Sequence, residues 1–229
     1  MYDKAIPLSQ TLRAAHDAAL TTICRPGPSW TGAERRAMVE SARAATSCSL
    51  CARRKAALSP SQVTGTHEDP TDLPLVVVDA IHRIRTDPGR LTRSWFDQVT
   101  AGIGQAAYVE MVSVVNTSVI VDTLHAALEQ PLASLPEAEA GAPTRAATGE
   151  VVEAGAWVPI TRASREMADT GLPAVPNILR AMGLVPDAVA LFFSTFRPHY
   201  ALKDIQLSIS QAQAELVASR VSAWNECFY

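Results

Sequence analysis

Cys48-Ser49-Leu50-Cys51 is the segment whose residue types and spacing most directly suggest chemistry. In a Cys-x-x-Cys at a helix start the second sulphur lies one turn beyond the first, close enough for the pair to form a disulfide. Such a pair reacts through a thiolate, so one thiol must ionise. Ser47 and Ser49 flank Cys48, whereas Arg53, Arg54 and Lys55 follow Cys51. Nearby cations and a helix N-terminus both favour the thiolate. This pattern assigns Cys51 as the thiol that attacks a peroxide to give a sulfenic acid, and Cys48 as the partner that condenses with it. A Cys pair is also half of a zinc site, but zinc takes two further ligands. No second Cys pair follows, and His67 stands alone nearby, so neither metal nor cofactor is expected. A vestigial pair without chemistry is the bland alternative. Cys24 reads as a small buried apolar residue.

A second cysteine region lies at the other end. Laying Cys48 over Cys227 places Arg36 on Glu215, Ala37-Met38-Val39 on Leu216-Val217-Ala218, and Thr46-Ser47-Cys48 on Asn225-Glu226-Cys227. The match is weak in identity and clear in pattern. Cys227-Phe228-Tyr229 reads as the start of a second, truncated motif, with a terminus in mid-helix as the alternative. His82, His125 and His199 fall on helical or helix-end segments and read as core or surface histidines. Glu110, Asp122 and His125 form a polar stripe on one helix, read as a solvated face or an interface.

The elements that must position these groups read as helices. Leu8, Leu12, Ala15, Ala19 and Ile23 share one face of a helix over 8–24, stopped by Arg25-Pro26-Gly27-Pro28. Thr31 with Glu34 forms a capping box for a helix running toward Cys48. Residues 59–71 form a loop. Helices follow over 72–86, with Pro74 in the first turn, over 92–100, and over 105–129 despite a β-branched middle. Residues 132–155 are rich in Ala, Pro, Glu, Gly and Thr, and read as a long loop ending in the apolar tip Trp157-Val158-Pro159-Ile160. That tip is expected to dock on a neighbouring subunit or on its own core. Short helices resume over 177–182 and 186–196, and a last one begins near Ser210. No segment alternates as a strand between hairpin turns. The fold class is therefore all-α, a helical bundle with a degenerate internal repeat.

Composition sets outer limits. The 229 residues are 48% hydrophobic with a net charge of -3, enough apolar content for one large or two small domains. So weak a field gives no reason to expect nucleic acid or an anionic membrane as partner. The apolar runs 75–81 and 111–121 fall short of the roughly 18–20 residues a spanning helix needs. The N-terminus lacks a basic region followed by an apolar stretch, so the expected location is the cytoplasm, where a structural disulfide framework is not expected.

Taken together, residues 34–51, 75–132 and 215–229 resemble the alkylhydroperoxidase D / carboxymuconolactone decarboxylase family, in its larger peroxidase-related subgroup. The stretches that carry the likeness are Glu34-Arg35-Arg36 through Ser47-Cys48-Ser49-Leu50-Cys51, Ser94-Trp95-Phe96, Tyr108 through Asn116, and Glu215 through Tyr229. Pro176 through Met182 also looks typical. The family's redox motif is Glu, eleven residues, Cys, two residues, Cys, three residues, His. There the distal Cys attacks peroxide, the proximal Cys resolves, and Glu and His relay the proton. Carried over, Cys51 is peroxidatic and Cys48 resolving, but Arg36 and Lys55 hold the relay positions. In the second copy Glu215 and Cys227 match. The resemblance implies a homo-oligomeric helical bundle and a thiol-dependent peroxidase that reduces hydroperoxides with electrons from an external dithiol. A cofactor-free lyase of the decarboxylase type and a non-catalytic oligomeric scaffold are the alternatives. The organisation expected is an N-terminal helical arm (1–30), a first unit with the Cys-x-x-Cys (31–132), a long loop (133–175) and the start of a second unit (176–229).

Overall fold

The structure is a computed structural model; it describes residues 1–145, 149–167, 176–199 and 208–224. The chain is all-α. Its elements are α1 (Gln10–Ile23), α2 (Gly32–Ala44), α3 (Ser49–Ala56), α4 (Leu75–Thr86), α5 (Arg93–Ile103), α6 (Gln105–Ala127), α7 (Arg162–Met167), α8 (Asn177–Met182), α9 (Pro186–Phe196) and α10 (Gln211–Trp224). Among the described residues one strand pair interrupts them: β1 (Val151–Val152) runs antiparallel to β2 (Ile160–Thr161), with Val151 opposite Thr161. Two residues per strand are too few to show an alternating pattern, which is why the sequence reads as loop there.

Local signals start the helices where their caps lie. Ser9 accepts from the Leu12 N–H ahead of α1, and Thr92 from the Trp95 N–H ahead of α5. At α2 both arms of the capping box form: Thr31 Oγ1 accepts from Glu34 N–H, and Glu34 Oε2 accepts from Thr31 N–H. α4 starts at Leu75, later than the expected 72. Pro74 is its N-cap, and a residue that precedes a proline is steered away from helical geometry, leaving Leu73 outside. Between α5 and α6 the backbone turns through Gly104 at φ 84°, a conformation that costs a residue with a Cβ.

α6 is the central strut. Val109, Met111, Val114, Val115 and Val121 are buried on it, and so are Ser113, Thr117 and Ser118, so most of its circumference packs inside the protein while Val112, Asn116 and Val119 remain half-buried. Its 23 residues, with an 18-residue window of mean hydropathy 1.2, are long and apolar enough to cross a bilayer, contrary to the shorter run read from 111–121. More than half of that window is buried within the protein, with Glu110 and His125 inside too, as in a core helix. α1, α2, α4, α5, α8 and α9 contribute to the same core as α6. Leu20 and Ile23 place α1 within it, so 1–30 is an integral part of the bundle rather than an arm. Val158 and Ile160 are buried and Trp157 sits 5.3 Å from Phe96, so the apolar tip docks on the chain's own core.

Two ion pairs fix α2 against α6. Arg35 and Glu110 lie 3.5 Å apart, nearly fully buried, with Arg35 Nη1 also donating to Arg25 O and the Ser29 N–H donating to Glu110. Gly27 sits where any Cβ would strike the Glu110 carboxylate. In the last turn of α2, Arg43 donates two hydrogen bonds of 2.8 Å to Asp122. Glu110 and Asp122 are therefore cross-helix anchors, not a solvated stripe. The end of α2, from which the cysteines follow, is held in place by this second pair.

Candidate functional site: a dithiol facing two histidines

α2 tightens into a 3-10 turn at Ala45–Ser47, and the chain then re-enters a helix with Cys48 as the N-cap of α3. Leu50 is completely buried and anchors this short helix. Cys51 lies in its first turn. Both thiols are free and buried, at 2% and 4% exposure. A loop from Ala57 to Pro74 then doubles back over α3. It is tied down by polar contacts: Ser49 donates to Glu68 (2.7 Å), and Arg54 Nε donates to Val63 O (3.1 Å). An Asx-type turn at Asp69 accepts from the Thr71 N–H (2.9 Å).

This loop brings His67 and Asp69 to the sulphurs, and α4 brings Asp79 and His82 from one face, three residues apart. His67 Nδ1 lies 3.6 Å from Cys48 Sγ and 3.6 Å from Cys51 Sγ, and His82 Nδ1 lies 3.2 Å from Cys51 Sγ. Each outer nitrogen meets a carboxylate at 3.0 Å: His67 Nε2 at Asp79, His82 Nε2 at Asp69. Ionised carboxylates only accept, so each Nε2 carries the hydrogen and each Nδ1 presents its lone pair to sulphur in the neutral ring. Asp79 is also paired with Arg54. The rings are 4.2 Å apart, and His82 is fully buried. All four inward atoms, two sulphurs and two nitrogens, lie within 4.8 Å of one another.

The two thiols differ in acidity in the order opposite to the sequence expectation. Burial raises the Cys48 thiol, but the Cys51 and Glu68 backbone N–H groups, His67 and the Cys51 thiol together outweigh it and bring Cys48 down to about 6. Burial pushes Cys51 up to about 11, aided by the neighbouring Cys48 thiolate and opposed by Thr86. Burial lowers His67, but the hydrogen bonds and charges of Asp79 and Cys48 together outweigh it and leave it raised. The correction has a positional cause. Cys48, not Cys51, is the N-cap residue, and of the cations that follow Cys51, Arg54 is committed to Asp79 while Arg53 and Lys55 are exposed.

A cavity of about 350 Å³ opens onto both sulphurs, lined among others by Thr46, Ser47, Lys55 and Arg85. No protein-family model, curated protein or solved structure matches the chain.

Of the residues singled out in the sequence, Cys48 and Cys51 sit together at this site. Arg36 is turned away, pairing with Glu40 and donating to Pro136 O, and Lys55 lines the cavity mouth. Glu215 lies exposed on α10, accepting a 2.6 Å hydrogen bond from Gln211, and Cys227 falls outside the described residues. Sequence reasoning left His67 alone and read His82 as an ordinary core or surface histidine. The available signal was Asp79-x-x-His82 on one helical face together with His67-x-Asp69 in the preceding loop.

Proposed function

We propose that Cys48 and Cys51 form a redox-active dithiol that reduces hydroperoxides. The observation that carries this reading is that each sulphur of the Cys-x-x-Cys faces a histidine nitrogen whose ring is oriented by a carboxylate: Cys51–His82–Asp69 and Cys48–His67–Asp79. Nucleophile, base and orienting group at hydrogen-bond range are the parts of an activated thiol. They fill the role that Arg36 and Lys55 leave vacant in the motif resemblance.

In this reading Cys48, the thiol that burial and its donors leave more acidic, attacks the peroxide. Its sulphur bonds to the outer peroxide oxygen, the O–O bond breaks, and the leaving alkoxide takes the proton that Cys48 gave up to His67, departing as an alcohol, or as water from hydrogen peroxide. The products are that alcohol and a Cys48 sulfenic acid. Cys51 then gives its proton to His82 and attacks Cys48 sulphur; the hydroxyl leaves as water and the disulfide closes. An external dithiol returns two electrons and two protons. The cavity beside Lys55 and Arg85 is the route for the peroxide.

The test is stopped-flow consumption of hydrogen peroxide by the reduced, metal-free protein, with thiols counted before and after. One peroxide should remove two thiols. Cys48→Ser should abolish the reaction and Cys51→Ser should halt it at the sulfenic acid. If both variants consume peroxide at the wild-type rate, the dithiol reading is wrong.

A further inference from the structure

We infer that Cys48, Cys51, His67 and His82 also form a zinc site, in which one Zn²⁺ takes the place of the two thiol protons. The four donor atoms converge from three separate elements on one point. A tetrahedral zinc has Zn–S of about 2.3 Å and Zn–N of about 2.0–2.1 Å, which makes each sulphur-to-nitrogen edge about 3.6 Å. Three of the four sulphur-to-nitrogen edges here are 3.6, 3.6 and 3.2 Å, and the fourth, Cys48 to His82, lies within 4.8 Å. Two thiolates and two imidazoles are a soft-to-intermediate donor set that selects zinc over magnesium or calcium.

The outer partners point the same way. Zinc-binding histidines donate their other N–H to a carboxylate, which fixes the tautomer and sharpens the ligand. Both histidines do so, to Asp79 and to Asp69. A single such pair is ordinary in a catalytic relay. Two of them, aimed at one point with both lone pairs inward and His82 fully buried, describe a coordination sphere. Four protein ligands close the tetrahedron, so the metal holds the loop and α4 to α3 rather than activating water. On the dithiol reading proposed above, zinc would also cap the sulphurs and keep them from peroxide until it leaves.

The experiment uses the full chain, reduced, stripped with a chelator and reloaded with ZnCl₂ or CoCl₂. Elemental analysis should give one zinc per chain. The cobalt form should show the visible bands of a tetrahedral centre and a thiolate charge-transfer band in the near ultraviolet. Cys48→Ser and His67→Gln should each remove high-affinity binding while circular dichroism remains helical. Asp79→Asn, which keeps all four ligands, should weaken zinc by about 10–100-fold. Zinc absent at one equivalent, or retained equally by Cys48→Ser and His67→Gln, overturns the proposal. The two readings fail separately. Zinc bound by a protein whose stripped form ignores peroxide supports the site and refutes the peroxidase. A stripped form that consumes peroxide but takes up no zinc does the reverse. Peroxide consumption at equal rates by zinc-loaded and stripped protein refutes the capping role alone.

Discussion

Replacing Asp69 with Asn changes almost no volume and reverses one hydrogen bond. Asp69 Oδ2 accepts from His82 Nε2 at 3.0 Å, and its Oδ1 accepts from Thr71. In Asp69→Asn the Thr71 contacts hold the amide oxygen, so the amide nitrogen faces His82. Two donors cannot share that line, and His82 must move its hydrogen to Nδ1. That nitrogen lies 3.2 Å from Cys51 Sγ and can no longer take its proton. Loss of a positioned general base costs on the order of 10²–10⁴-fold in the step it serves. Here the step is disulfide closure, because Cys51 is the thiol pushed up to about 11 and most in need of a base. The first step, at Cys48 beside His67, should change little.

The assay follows both steps in one reaction. The metal-free variant is mixed with hydrogen peroxide and quenched at intervals. Sulfenic acid is trapped with dimedone and disulfide is read by mass spectrometry. The expected result is rapid sulfenic acid at Cys48, with disulfide formation slowed by about a hundredfold or more. Asp69→Glu, which restores a carboxylate, should recover part of the rate. A disulfide that closes in Asp69→Asn as fast as in the wild type would refute the assignment of His82 as the base.

Two further predictions concern the scaffold. His16 is fully buried against Tyr2 and His199, Tyr2 stacks on His125, Asp17 and Asp122 bear on Tyr2, and desolvation, aided by His199 and His125, lowers His16 to about 4. Unfolding therefore takes up a proton between about pH 6.5 and 4, so stability should fall by about 3 kcal/mol as pH drops through that window, and His16→Gln should lose that much less between pH 7 and 4 in paired urea titrations. Thr31→Ala removes the acceptor for the Glu34 N–H and should cost about 1 kcal/mol; an unchanged urea midpoint would deny the capping box a role.

Helix positions were legible wherever a cap or a period carries them. Thr31 with Glu34 marks α2, and the apolar face over 8–24 marks α1, because these signals are local. α4 was misplaced at its start because Pro74 acts on the residue before it as well as on its own. The site was legible only in part, for the same reason. Cys-x-x-Cys is a local motif and shows itself. His67, Asp69, Asp79 and His82 acquire meaning only when the 57–74 loop folds back on α3 and α4 packs beneath, and no short spacing encodes that. The acidity order failed on direction: counting cations after Cys51 ignores where Arg54 points, whereas N-cap geometry belongs to Cys48.

The polar shell explains how one constellation can serve protons and a dication. Cys48 and His67 share one proton, so that pair is neutral overall whichever of them holds it, and with Cys51 protonated the remaining charges at the site are Asp69, Asp79 and Arg54, a net of one negative charge. Replacing two thiol protons with Zn²⁺ leaves that sum unchanged, since two thiolates cancel the ion. The carboxylates and the guanidinium need not move, and both Nε2 hydrogens keep their acceptors. Zinc uptake must then release protons, so its affinity should rise with pH. Disulfide formation is different. It removes both thiols as donors and leaves two imidazole lone pairs facing sulphurs that offer neither hydrogen nor negative charge. The oxidised state is therefore the one in which His67 and His82 are least satisfied. The loop that carries His67 is held to α3 mainly by polar contacts such as Ser49–Glu68 and Arg54–Val63, so it is the element through which oxidation would be felt.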